Sequence, residues 1–168
     1  MGNGRYTERI DSRFLESVTP PPIHAIRRVL LYEFDTEGSR LLPGHIEGLM
    51  RLVVPELRPT SPARSVWIGG LASRRGSESI NIPLARRRAE AVQIFVLRAC
   101  PDLLTLTGRH AIVATSFGET YSAHTENSEY YRSVLVILIQ IVVPTSPPRA
   151  PRPQPPTTFN RFRIRSKG

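Results

Sequence analysis

Residues 66–99 read VWIGGLASRRGSESINIPLARRRAEAVQIFVLRA, and their order leaves the chain few architectures. A short β-rich run, Val66-Trp67-Ile68, enters a Gly/Ser/Arg loop. A helix is predicted from Asn81, whose side-chain oxygen suits an N-cap. Pro83 then falls in the first turn, where a missing N–H costs little. Leu84, Ala85, Ala89, Val92, Phe95, Val96 and Ala99 recur at spacings of three and four, which makes one buried face. Arg86 and Arg87 occupy the opposite face, with Arg88 at its border. Strand, loop and amphipathic helix in this order require the helix to fold back against a sheet. The place where loop meets helix N-terminus suits an anion, because free N–H groups and the dipole both favour negative charge.

The flanking sequence supplies the rest of that sheet. Val29-Leu30-Leu31-Tyr32-Glu33-Phe34 is rich in branched and aromatic residues and reads as a strand, ended by Asp35-Thr36-Glu37-Gly38. Residues 43–57 carry Ile46, Leu49, Met50, Val53 and Leu57 at helical spacing, and Pro59 stops the helix. Strands are expected at 65–69, 111–116 and 133–143, the last so continuously apolar that it reads as an inner strand. The order is strand, helix, strand, helix, strand, loop, strand. Helical crossovers make part of the sheet parallel. The expected fold class is therefore α+β, a mixed four-stranded sheet with its helices on one face. Trp67 is assigned to the core.

Three segments divide the 168 residues. Residues 1–26 form a mostly irregular arm, with a short helix around Arg9–Val18, and residues 27–143 form the domain. Residues 144–168 form a proline-rich tail with six basic residues and no acidic one. That composition cannot bury enough apolar surface to order itself. In the tail Phe159, Phe162 and Ile164 alternate with arginines, a pattern that suits an anionic surface or plain solvation. The formal charge is +9, and Lys167 is the only lysine among 23 basic residues. Arginine favours planar recognition of carboxylate or phosphate. Cys100 is the only cysteine, so no internal disulfide forms. The first residues contain no apolar signal-peptide core, and no run reaches the ~20 apolar residues of a membrane-spanning helix. His24, His45, His110 and His124 show no metal spacing, and neither a phosphate loop nor an acid/base pair stands out. No cofactor and no metal are expected.

At its centre the sequence resembles the OmpA-like (peptidoglycan-associated) family. That family's core motif runs Gly-x-Thr-Asp-x-x-Gly, then Asn, Leu, Arg-Ala and Val. Gly70, Ala72, Ser73, Gly76, Asn81, Leu84, Arg88, Ala89 and Val92 stand in those places. Phe34-Asp35-Thr36 resembles the element after the family's first strand. Ser116-Phe117-Gly118-Glu119 is similar to its Gly-Tyr-Gly-Glu loop, and Tyr131-Arg132-Ser133-Val134 to its Asn-Arg-Arg-Val. The likeness covers residues 27–143 and implies a β-α-β-α-β-β two-layer sandwich.

It also implies a noncatalytic domain of the cell envelope or periplasm, binding peptidoglycan through the diaminopimelate of the stem peptide. In the family the motif aspartate takes the ligand's ammonium and the motif arginine its carboxylate. Site residues implied here are Asp35, Ala72, Ser73, Asn81, Leu84, Arg88 and Arg132. Ser73 stands where the aspartate belongs and supplies no charge, so recognition is expected to be weakened or altered. Asp35, Glu78 and Glu119 are the candidates for the missing carboxylate.

Two readings of Arg88 stand side by side: ligand clamp, or structural partner of Asp35 or Glu119. Arg74, Arg75, Arg86 and Arg87 form a basic face, either solvated or a patch for an anionic envelope polymer. The alternative function is an interaction module that keeps the fold, has lost the wall ligand, and docks on a protein assembly through this face and the tail. Nucleic-acid binding is the weaker third class. The missing signal peptide makes the cytoplasm the alternative compartment.

Overall fold

The computed structural model describes residues 2–17, 25–58, 65–72, 77–101, 111–116 and 131–140. Strands β1 (Arg5–Thr7), β2 (Ala25–Tyr32), β3 (Ser65–Gly70), β4 (Ala111–Ser116) and β5 (Val134–Ile139) form one sheet in the order β1-β2-β5-β3-β4. β3 and β4 run parallel, joined through helix α3 (Glu78–Ala99), and all other pairings are antiparallel. The mixed α+β sheet thus contains the four expected strands in the expected order. It gains a fifth at the N-terminus, where the sequence suggested irregular chain.

β5 lies at the centre with all six residues VLVILI buried, in keeping with its unbroken apolar run. Alternate residues serve opposite faces. Val134, Val136 and Leu138 join Val29, Leu31, Val66 and Ile68 under the helical layer. That layer contributes Ala89, Val92 and Val96 of α3. It also contributes Leu49, Val53 and Leu57, which follow helix α2 (Pro43–Gly48). Leu135, Ile137 and Ile139 face the other way with Leu30, against Phe14 of helix α1 (Ser12–Ser17). The two long helical segments therefore share one face, and the short N-terminal helix covers the other.

Local details depart from the sequence reading. The 43–57 helix loosens into a π-turn at Leu49–Val53 and tightens into a 3-10 turn at Val54–Leu57, where Pro55 has no N–H for an α-helical ladder. Helix α3 begins a turn earlier than Asn81, with Ser77 at the cap position; the Ser77 oxygen accepts the N–H groups of Ile80 and Asn81 at 2.9 and 3.0 Å. Asn81 is thus a buried helical residue rather than a cap, and Pro83 lies in the second turn. β2 ends at Tyr32, because Glu33 adopts φ 64° and turns the chain out of the ladder.

Gly70 fixes how close α3 can come. A Cβ there would run into the backbone oxygen of Ala85, and Ala85 and Ala89 are themselves fully buried. Small residues on both elements therefore bring the helix backbone onto the end of β3, directly above the edge where the candidate site lies.

Candidate functional site

The carboxyl ends of β2, β3 and β4 and the start of β5 lie at one edge of the sheet, as the pairing directions require. Asp35-Thr36-Glu37-Gly38 leaves β2 in a tight turn, with the Gly38 N–H donating to the Asp35 oxygen at 3.1 Å. Phe34 and Arg132 are tied twice. The Phe34 N–H donates to the Arg132 oxygen at 3.1 Å, and Arg132 Nε donates to the Phe34 oxygen at 2.9 Å. Leu71 is tied from the other side, its N–H donating to the Ser133 oxygen at 2.9 Å. The Tyr131–Ser133 segment thereby bridges the two loops.

Arg88 sits among these oxygens and is fully buried, not at the helix border. Its Nε donates to the Gly38 oxygen at 2.9 Å and Nη1 to the Leu71 oxygen at 3.0 Å. Nη2 donates to the oxygens of Asp35 at 2.7 Å and Thr36 at 3.2 Å. The guanidinium carbon also lies 5.5 Å from the centre of the Phe34 ring. Arg88 is thus a structural partner of the Asp35 loop, but through backbone oxygens. Among the described residues no carboxylate lies within ion-pair distance of it. Burial, then the charges of Arg132 and Arg87, lower its pKa to about 10, with Asp35 acting in the opposite sense. It stays charged at neutral pH, a cation in a low-dielectric setting.

Asp35 uses its backbone for that contact and leaves its side chain exposed. Arg132 is half-buried, Ala72 and Leu84 are buried beside the site, and Asn81 is buried on the same face of α3 as Arg88, two turns earlier. Ser73, Arg74, Arg75 and Glu119 lie outside the described residues. Glu78 is exposed in the first turn of α3. The basic face is thinner than the sequence suggested, because Arg86 pairs with Glu90 at 2.9 Å. Arg87 is exposed. No metal-binding group of three ligands occurs among the described residues.

His45, one of the histidines without metal spacing in the sequence, is fully buried. Its Nε2 lies 2.7 Å from the Tyr32 oxygen, and its Nδ1 accepts the Leu42 N–H at 3.2 Å. Those two partners assign the neutral Nε2–H tautomer. The ring stacks on Phe34 with centroids 4.1 Å apart. Its spacing of four and eight residues from Leu49 and Val53 was the signal for burial.

No protein-family profile matches the sequence, and no curated protein does. Solved structures that match include a peptidoglycan-associated lipoprotein, an OmpA-like domain and a MotB-like protein. The peptidoglycan-associated lipoprotein of Burkholderia pseudomallei is 21% identical, with a TM-score of 0.48 over 66% of this chain and 87% of that one. The OmpA-like domain of FopA1 from Francisella tularensis is 16% identical, with a TM-score of 0.47 over 67% and 72%. A MotB-like protein of Desulfovibrio vulgaris is 18% identical, with a TM-score of 0.45 over 80% and 88%.

Proposed function

We propose that this chain is a noncatalytic OmpA-like domain of the cell envelope that recognises the diaminopimelate of peptidoglycan in an altered way. One observation carries the reading. The exposed Asp35 carboxylate stands on the loop whose backbone oxygens hold the buried Arg88 guanidinium, with the Asp35 oxygen 2.7 Å from Nη2. Charge of both signs at one loop is what an ammonium and a carboxylate on one carbon require. Asp35 takes the ammonium in place of the aspartate that Ser73 lacks. Arg88 shapes the loop and, with Arg132 and Arg87, supplies positive potential for the carboxylate, rather than gripping it as a free clamp.

The closure of Arg88 from solvent favours a second reading: a fold-keeping interaction module in which this arginine is only a strut. Sedimentation with insoluble diaminopimelate-type peptidoglycan separates the two, using the full chain beside Asp35→Asn and Ser73→Asp at moderate salt. Retention of the unsubstituted chain and loss by Asp35→Asn is the result expected of a working pocket. Retention by Ser73→Asp alone, or only at low salt where exposed arginines act nonspecifically, is the result expected of the module.

A further inference from the structure

The N-terminal strand, helix α2 and the Arg88 loop meet at one side chain, His45. Gly4 packs on its ring so closely that a Cβ there would lie 2.7 Å from Nε2, and Gly4 also has φ +66°. Close by, the Gly44 N–H donates to the Asn3 oxygen at 2.9 Å, and the Tyr6 hydroxyl donates to Glu47 at 3.0 Å. The ring also stacks on Phe34, which in turn carries the Arg88 guanidinium over its face.

We infer that His45 is a positioning residue: its neutral ring locks the N-terminal strand and the 34–38 loop in place, and its protonation releases both together. A proton on Nδ1 removes the acceptor for the Leu42 N–H and sets two N–H groups face to face. It also places a second cation beside Phe34 and near Arg88, in an interior that hydrates neither. The charged groups around the ring come from every neighbour. Arg88 of α3 opposes protonation and Asp35 of the loop favours it. Glu33 at the end of β2 is occupied by Arg5 of β1, and Glu47 of α2 accepts from Tyr6. Burial is the largest influence and holds the imidazole below its usual pKa, so the proton enters mainly when the cluster opens.

The inference rests on the proposed site only for its consequence, which is that ligand binding weakens with acidification. Its structural part is tested alone, by hydrogen exchange of the full chain. The amides of Phe34, Gly38, Leu42 and Gly44 are followed as protection factors from pH 7.5 to 5. Protection at all four is expected to fall together below pH ~6.5, by up to tenfold per pH unit. In His45→Gln, whose amide can both donate to Tyr32 and accept from Leu42, protection should be flat with pH. Gly4→Ala should lower protection of the same amides already at pH 7.5. Unchanged protection in the wild type while the His45 ring titrates, or the same fall in His45→Gln, would overturn the inference. Wall binding measured over the same pH range separates the two claims. Absence of binding at every pH contradicts the proposed function and leaves the exchange result to judge His45.

Discussion

Arg88 Nη2 and the backbone oxygen of Asp35 are 2.7 Å apart, and Arg88 is the one arginine of the Arg86–Arg88 run that is turned inward. The bond is one of four from a single guanidinium to Gly38, Leu71, Asp35 and Thr36, spanning the ends of β2 and β3. Arg88→Ala would remove this donor from all four oxygens, leaving the Asp35 oxygen only the Gly38 N–H, and would open a void beneath Phe34. A loss of about 3 kcal/mol or more is expected. Arg88→Lys should recover little, since one ammonium cannot reach both Gly38 and Leu71. Urea unfolding checks this through a lower midpoint at unchanged slope. It follows that Arg88→Ala is an unsuitable test of ligand binding, whereas Asp35→Asn leaves the backbone bond intact.

Gly70 is the second rigid point. Gly70→Ala sets a methyl against the backbone oxygen of Ala85, an atom that moves only if α3 moves. Overpacking of this kind costs about 1–3 kcal/mol, and a backbone obstacle places it at the upper end. Thermal unfolding should report the loss, while Gly69→Ala at the neighbouring position serves as the comparison.

Ser133 points the other way. Its hydroxyl is fully buried and has no hydrogen-bond partner among the described residues, although its backbone oxygen holds Leu71. Removing a buried, unsatisfied hydroxyl relieves its desolvation cost. Ser133→Ala is expected to stabilise the domain by about 1 kcal/mol, read as a raised urea midpoint; a clear destabilisation would mean that the hydroxyl has a partner in solution.

The strand–helix order was legible because β-rich apolar runs at 29–34, 66–68, 111–116 and 134–139 are interleaved with stretches of helical spacing at 43–57 and 84–99. The site was half legible. Arg88 falls in the buried register of Asn81, Leu84, Ala85, Ala89 and Val92, yet its charge argued for the border, and only the convergence of four backbone oxygens shows why a guanidinium can be interior. β1 was not legible, since Arg5-Tyr6-Thr7 is too short to carry a pattern. Its pairing with Leu30–Tyr32 depends on contacts at Gly4, Gly44 and Gly48 that exist only in the folded chain. The early start of α3 was missed because Ser77 and Asn81 are both good caps, and packing of Asn81 decides between them.

Global stability should follow His45 as well. Its folded pKa lies below the unfolded value of 6.5, so the unfolded chain binds the proton more tightly. The contribution is present in full above pH 6.5. It declines as pH falls through 6.5 and levels off below the folded pKa, with a slope of at most about 1.4 kcal/mol per pH unit. Urea midpoints of wild type and His45→Gln should diverge below pH 6.5 and run parallel above it.

The central claim is recognition of a zwitterionic carbon by Asp35 and the arginine cluster. It is tested most directly by titrating the full chain with a diaminopimelate-containing stem peptide and, separately, with its lysine counterpart, which keeps the ammonium but lacks the second carboxylate. The account predicts shifts at the amides of 34–38, 71–72 and 132–133 with the first peptide and at least tenfold weaker binding of the second. Equal affinity for both peptides, or no shift at these amides, would contradict it.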